Sequence, residues 1–295
     1  KSKLISKKIG FMQGRLVDSE KKNSIQYFPD KNWISELQIA NKLKFRLVEW
    51  TVNIENIKKN PIFNGNLVTL KEVIKNYNIK VLSATNDYFM QEPFFKKKNL
   101  KKKKKIIKNL EKIISNGNKI GIKYHIFPLV DNASINSEFE ENILIKEIKK
   151  LSKKLKKNSS ILFETDYRPN EVAKFIKKFR TKKVGINYDT GNSASLNYNF
   201  ADEIKYFKYV KNIHIKDRIL NGKTVRLGKG NWDYKNFFKL IKFKYKGNFI
   251  LQTARSPINE HAREIQINKK FFEDAYNKII LNYWYYGQCL QIKIT

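Results

Sequence analysis

Residues 184–218 read VGINYDTGNSASLNYNFADEIKYFKYVKNIHIKDR. Two short β-branched runs frame the stretch: residues 184–188 stop on Asp189, and residues 210–215 contain His214. A polar turn and a helical segment over residues 201–209 lie between them. The order strand, turn, helix, strand is the repeating unit of a parallel α/β sheet. An apolar run that stops on Asp or His places that side chain at the carboxyl end of a strand, where parallel α/β folds carry their chemistry. Similar endings flank the unit, because residues 161–163 (ILF) run into Glu164 and residues 249–251 (FIL) run into Gln252. Four consecutive strands thus end in Glu164, Asp189, His214 and Gln252.

The same alternation extends outward from this unit. Strands are expected at residues 8–12 (KIGFM), 45–49 (FRLVE, with Glu49 at its end), 81–84 and 124–127. Apolar residues at helical spacing predict helices over 33–42, 67–77, 100–116, 138–156, 171–179, 234–243 and 271–283. Residues 85–95 (TNDYFMQEPFF) read as a loop. Eight strands alternating with helices predict an α/β fold, a single (β/α)8 TIM barrel spanning residues 1–295 as one domain. An open doubly wound sheet lacks its dinucleotide fingerprint, since Gly228-Lys229-Gly230 does not open a helix after a strand.

Composition bounds the function. The chain has 295 residues and is 41% hydrophobic, enough for a large core and too apolar for a disordered chain. No apolar run approaches a membrane span, and the opening KSKLISKKIG lacks the apolar core of a signal peptide. Cys289 is the single cysteine, so no internal disulfide can form and a reducing cytoplasmic setting is expected. The formal charge of +34 by itself suggests a nucleic-acid partner. The lysines, however, are spread along the chain, and the densest run, Lys101–Lys105, lacks interleaved aromatics for base stacking. Solvated helix faces are therefore the expected reading of the charge.

In this order, the segments IGFMQGRL, VEW, SATNDYFMQEP, LFETD, NYDTGN, NIHIKDR, TVRLGKGNWDY and FILQTAR make the chain resemble the xylose-isomerase-like TIM-barrel superfamily, and most closely its sugar-phosphate isomerase/epimerase branch. The resemblance implies a divalent metal, Mn2+ or Mg2+ with Zn2+ as the other option, held on Glu, Asp, His and Glu from the last four strands. Carried over by position, the metal ligands are Glu164, Asp189, His214 and Gln252. The fourth departs from the pattern. An amide oxygen can bind a hard cation but adds no charge, and it cannot take up a proton at neutral pH. In the ketose 3-epimerases that the chain resembles, carboxylates on the first and last ligand strands work on opposite faces of the substrate. With Gln252 that two-base scheme fails as it stands.

Three explanations remain open. Glu164 or Asp166 acts alone, removing a proton beside a metal-polarised carbonyl through an enediolate; or Glu49, Asp87 or Asp217 supplies the second base; or the barrel is an inosose-type dehydratase or a non-catalytic sugar-binding protein. Catalytic candidates are therefore Glu164 and Asp166. Substrate-binding candidates are Arg15, Glu49, Asp87, Asn192, Lys216, Asp217, Arg218 and Arg255, the cations being suited to a phosphate or carboxylate. Phe89 and Trp232 are candidate pocket aromatics, and His125 and His261 read as structural. The expected partner is a sugar or sugar phosphate, with no membrane and no specific nucleic acid, and a homo-oligomer stays open. Apurinic endonucleases share the superfamily, but their resemblance implies a His-rich three-metal site, whereas Asn192 stands where such an enzyme places a histidine and no Asp-x-His pair follows Gly230-Asn231.

Overall fold

The computed structural model describes residues 5–18, 26–242 and 244–291. Eight parallel strands are β1 (Ile9–Met12), β2 (Leu47–Thr51), β3 (Lys80–Thr85), β4 (Tyr124–Leu129), β5 (Ser160–Thr165), β6 (Val184–Asp189), β7 (Val210–Ile215) and β8 (Phe249–Leu251). Each pairs with its neighbour in sequence, and β8 pairs with β1 to close the barrel. Asp189 lies opposite His214 in the β6–β7 register. The expected (β/α)8 barrel is thus the observed fold. No described helix is long and apolar enough to cross a membrane.

Helices cover the strands as their spacing predicts. Along Leu100–Ile120, Ile106, Leu110, Ile113, Ile114 and Gly117 are buried, while the side chain of Asn99 caps the first turn. Lys101, Lys102, Lys104 and Lys105 point to solvent there. The lysine run is a solvated face, as expected.

The structure differs from the sequence expectation in several places. Strand β2 begins two residues later than FRLVE suggests, so Glu49 sits inside the strand and one layer below the barrel mouth. Arg46 is half-buried and precedes the ladder, which moves the strand forward. The turn after Asp189 is the short helix Thr190–Ser195, capped by the Asp189 side chain. The segment at 201–209 is split into a helix, Phe200–Glu203, and a 3-10 turn, Ile204–Tyr209. The loop after β3 contains the helix Asp87–Gln91. The closing helix runs over His261–Gln291. Of the helix expected at 234–243, Tyr234–Ile241 is observed, and Phe243 lies outside the described residues. Pro128 stands within β4, beyond the last β3–β4 pair Thr85↔Ile126, where a missing N–H breaks no ladder on that side.

His125 belongs to the packing of the fold. It is fully buried on the helix-facing side of β4, and neither ring nitrogen has a hydrogen-bond partner. A Cβ at Gly117 would lie 2.6 Å from its Cε1, so the helix can pass the ring only on a glycine. Burial pushes the His125 imidazole down to about 3. The folded protein therefore keeps this ring neutral while the unfolded chain takes up a proton below about 6.5. Its contribution to stability is complete above that pH and is lost as the pH falls toward 3. Between pH 6 and pH 4 the wild type should lose about 2 kcal/mol more unfolding free energy than His125→Leu, measured by urea denaturation at each pH.

Candidate functional site

The interior of a parallel barrel is normally filled by branched apolar side chains. Here the inward-facing positions near the carboxyl ends are polar, and they bond to one another. Glu49 on β2 faces His214 Nε2 through Oε1 at 2.6 Å and accepts from Thr85 Oγ1 on the same oxygen. Its Oε2 accepts from Asn212 Nδ2 at 2.9 Å. Asn212 Nδ2 also donates to Asn187 Oδ1 (2.9 Å), and Asn187 Nδ2 donates to Glu164 Oε2 (3.2 Å). The ring of His214 is completed by Glu164 Oε2, 3.1 Å from Nδ1.

His214 is thus clamped between two carboxylates at zero exposure. Burial opposes charge on the ring, but attraction to Glu49 and the hydrogen bonds to Glu164 and Glu49 overcome it, and the imidazole is pushed up to about 10. Burial likewise opposes charge on Glu49 and Glu164, and His214 holds both carboxylates below their ordinary value. Breaking such a buried pair is costly, because the remaining charge keeps its desolvation penalty without its partner. Glu49→Leu should lower the unfolding free energy by about 3–5 kcal/mol, read from urea denaturation.

The candidate ligands are Glu164 and His214 of this network together with Asp189 and Gln252. One ligand atom each from Glu164, Asp189 and His214 fall within 4.8 Å of one another, at the ends of β5, β6 and β7. Asp189 Oδ1 accepts from the Asn192 backbone N–H at 2.8 Å. Its Oδ2 is buried without a hydrogen bond, 3.9 Å from His214 Nδ1 and 3.7 Å from Lys216 Nζ. Burial pushes the Asp189 carboxyl up, against the pull of Lys216. Gln252 Oε1 is also buried without a partner. Buried acceptors are rarely left unbonded, and the free Asp189 oxygen beside the Glu164 carboxylate and the His214 imidazole suits a divalent cation, with the Gln252 amide oxygen as a neutral donor at the end of the neighbouring strand. A cation there competes with the proton that His214 Nδ1 shares with Glu164.

An open cavity of about 610 Å³ lies over this floor. It is lined by Glu164 and Gln252 and, among the other candidates, by Arg15, Asp87, Asp166, Asn192, Lys216 and Arg218. Asn192 Nδ2 donates to Glu164 Oε1 at 2.8 Å and Arg218 Nη1 donates to Asn192 Oδ1 at 3.3 Å, which ties one cationic wall to the ligand carboxylate. Asp166 accepts from Ser134 Oγ at the rim. Arg15 is held by its Nε–H to Thr253 O (3.0 Å), and burial and the neighbouring Arg255 push it down to about 10. Burial pushes Asp87 up to about 7, against the hydrogen bond from Gln26 Nε2 (2.8 Å).

Three substrate-binding candidates lie elsewhere. Glu49 is fully buried beneath the floor, and both of its oxygens are occupied. Asp217 is buried and accepts the backbone N–H groups of Gly228, Gly230 and Trp232 at 2.9–3.0 Å, so it shapes a loop. Arg255 donates to Gly14 O and Val17 O in the loop after β1 and stacks over the Tyr27 ring at 5.4 Å, and it does not line the cavity. Phe89 packs with Phe94, Phe95 and Phe127 in the core, and Trp232 packs with Phe237 and Phe238. The residues not foreseen are Gln26, Thr85, Asn187 and Asn212. The last two stand two positions before Asp189 and His214, and the alternation of a strand would have turned them inward with the ligands.

The family model for the xylose isomerase-like TIM barrel matches residues 37–274, most of the chain. The chain belongs to this family. No curated protein matches it in sequence. Solved structures share the fold at low identity. D-allulose 3-epimerase from Methylomonas sp., in complex with D-allulose, has TM-score 0.72 at 12% identity and covers 91% of this chain and 97% of its own. A xylose isomerase domain protein from Planctomyces limnophilus has TM-score 0.71 at 14% identity, covering 92% and 98%. The IolI protein with a bound zinc atom has TM-score 0.69 at 17% identity, covering 92% and 99%.

Proposed function

We propose that this family member is an isomerase or epimerase of a sugar or sugar phosphate, acting by proton transfer at a carbon beside a carbonyl. The observation that carries the reading is the convergence of Glu164, Asp189 and His214 within 4.8 Å beneath a polar cavity. A cavity of about 610 Å³ matches the size of small-molecule sites. Epimerases of D-allulose and of 3-keto-D-glucoside share its fold, as do proteins holding zinc or magnesium.

Glu164, Asp189, His214 and the Gln252 oxygen would hold a divalent cation, Mn2+ or Mg2+ with Zn2+ as the third option. Bound there, it would polarise the substrate carbonyl and so acidify the adjacent C–H. Glu164 is the base that faces the cavity from the ligand layer, and Asp166 offers a second carboxylate at the rim. Gln252 cannot return a proton on the opposite face. Asp87, on the side of the cavity that carries Gln26 and Gln252, is a carboxyl pushed up to about 7, near the value that suits a general acid or base at neutral pH. Lys216 and Arg218 suit an anionic substrate group, while Asp87 and Asp166 suit hydroxyls. A single cysteine and the absence of a spanning helix among the described residues accord with a cytoplasmic setting.

The test is carbon-bound deuterium. Ketoses and ketose phosphates incubated with Mn2+-loaded protein in D2O should gain deuterium beside the carbonyl, read by NMR, together with the epimer or aldose. Tight sugar binding with no exchange in any substrate would favour the second reading, a sugar-binding barrel, which the neutral Gln252 supports.

A further inference from the structure

An amide in place of a carboxylate creates an orientation problem. A carboxylate presents oxygen to a cation whichever way it turns, whereas an amide presents either an oxygen or an NH2 group, and the NH2 end repels a cation. Gln252 therefore serves as a ligand only if something fixes which end faces the cavity.

We propose that Gln26 and Asp87 are positioning residues that turn the Gln252 carbonyl oxygen toward the metal site. The proposal rests on the metal reading above and deepens it. The Asp87 Oδ2 takes the Nε2–H of Gln26 at 2.8 Å, an acceptor role that a carboxylate oxygen and the carbonyl oxygen of a neutral carboxyl share. That bond commits the Gln26 amide, so its Oε1 faces the other way and accepts from Gln252 Nε2 at 2.7 Å. The Gln252 NH2 group is thereby engaged by Gln26. Its Oε1 is left buried and unbonded beside the carboxyl end of β7, to which Gln252 is tied by its backbone N–H to Ile215 O at 3.0 Å. Both amides line the same cavity as Glu164 and Asp87. The three side chains come from the segment after β1, the end of β3 and the end of β8, so no sequence motif joins them.

The relay exists only because residue 252 is an amide. Its removal should matter in the wild type and be immaterial where residue 252 is a carboxylate. The experiment is a cycle of Mn2+ affinities, read from the EPR signal of free Mn2+, on wild type, Gln26→Met, Gln252→Glu and the double variant, with Asp189→Ala as the site control. Gln26→Met should weaken Mn2+ binding about tenfold, the scale of an outer-shell partner. In the Gln252→Glu background the same substitution should change the affinity less than about twofold, a departure from additivity that marks coupling. A merely structural role for Gln26 would cost the same in both backgrounds, and that outcome overturns the relay, as would an unchanged affinity in Gln26→Met. If wild type and Asp189→Ala bind Mn2+ alike, the metal reading itself falls and the relay with it.

Discussion

Asp189→Ala is expected to weaken Mn2+ binding by more than about 100-fold, beyond the effect typical of a partner outside the ligand shell. The two oxygens of Asp189 have separate tasks. Oδ1 accepts from the Asn192 N–H and caps the helix Thr190–Ser195, while Oδ2 has no hydrogen bond and faces His214 and Lys216. Alanine removes both, so some stability, about 1 kcal/mol for a lost cap, should go with the metal. Asp189→Asn separates the two. An amide oxygen can keep the cap while the NH2 group points at the cation, so melting should stay near wild type and Mn2+ affinity should still collapse. Calorimetric titration beside thermal melts reads both. Wild-type affinity in either variant would sink the assignment.

Glu164→Gln should reduce turnover by about 10²- to 10⁴-fold, the usual worth of a positioned general base. The amide still offers an oxygen to a cation, so Mn2+ binding should fall far less than turnover. Deuterium exchange into substrate is the measurement, since it reports proton removal whether or not product leaves. Asp166→Asn is the companion. Asp166 is half-buried at the rim and bonded to Ser134, so its loss should affect turnover mainly through substrate placement. Exchange retained in Glu164→Gln and lost in Asp166→Asn would transfer the role of base to Asp166.

The parts of this molecule legible in its sequence are those written into single runs. An apolar β-branched segment halted by Glu, Asp, His or Gln marks a strand end by itself, and Glu164, Asp189 and His214 met in space because neighbouring strands in a parallel barrel end at one face. Glu49 reads as a strand end in the sequence, where its run starts at Phe45. The strand in fact begins at Leu47, and two residues of displacement, one inward position, move the carboxylate from the mouth to the layer beneath. Asn187 and Asn212 fall inside strands that are read correctly, but an Asn in a strand declares no role by its type, and only its buried partners Glu49 and Glu164 give it one. Gln26 belongs to no strand and touches Asp87 and Gln252 only through the closed barrel. Such contacts carry no local pattern.

The loop from Arg226 to Trp232 behaves as masonry and not as a hinge. The N–H groups of Gly228, Gly230 and Trp232, every second residue, rest on the Asp217 carboxylate, which is wedged so close that a Cβ at Gly230 would lie 2.3 Å from Oδ1. Arg226 pins the same loop to Glu264 through paired bonds of 2.8 and 2.6 Å. A flap that swings to admit substrate needs few such anchors. This part of the loop after β7 therefore stands as a fixed wall, braced by Asp217 and Glu264, and not as a door.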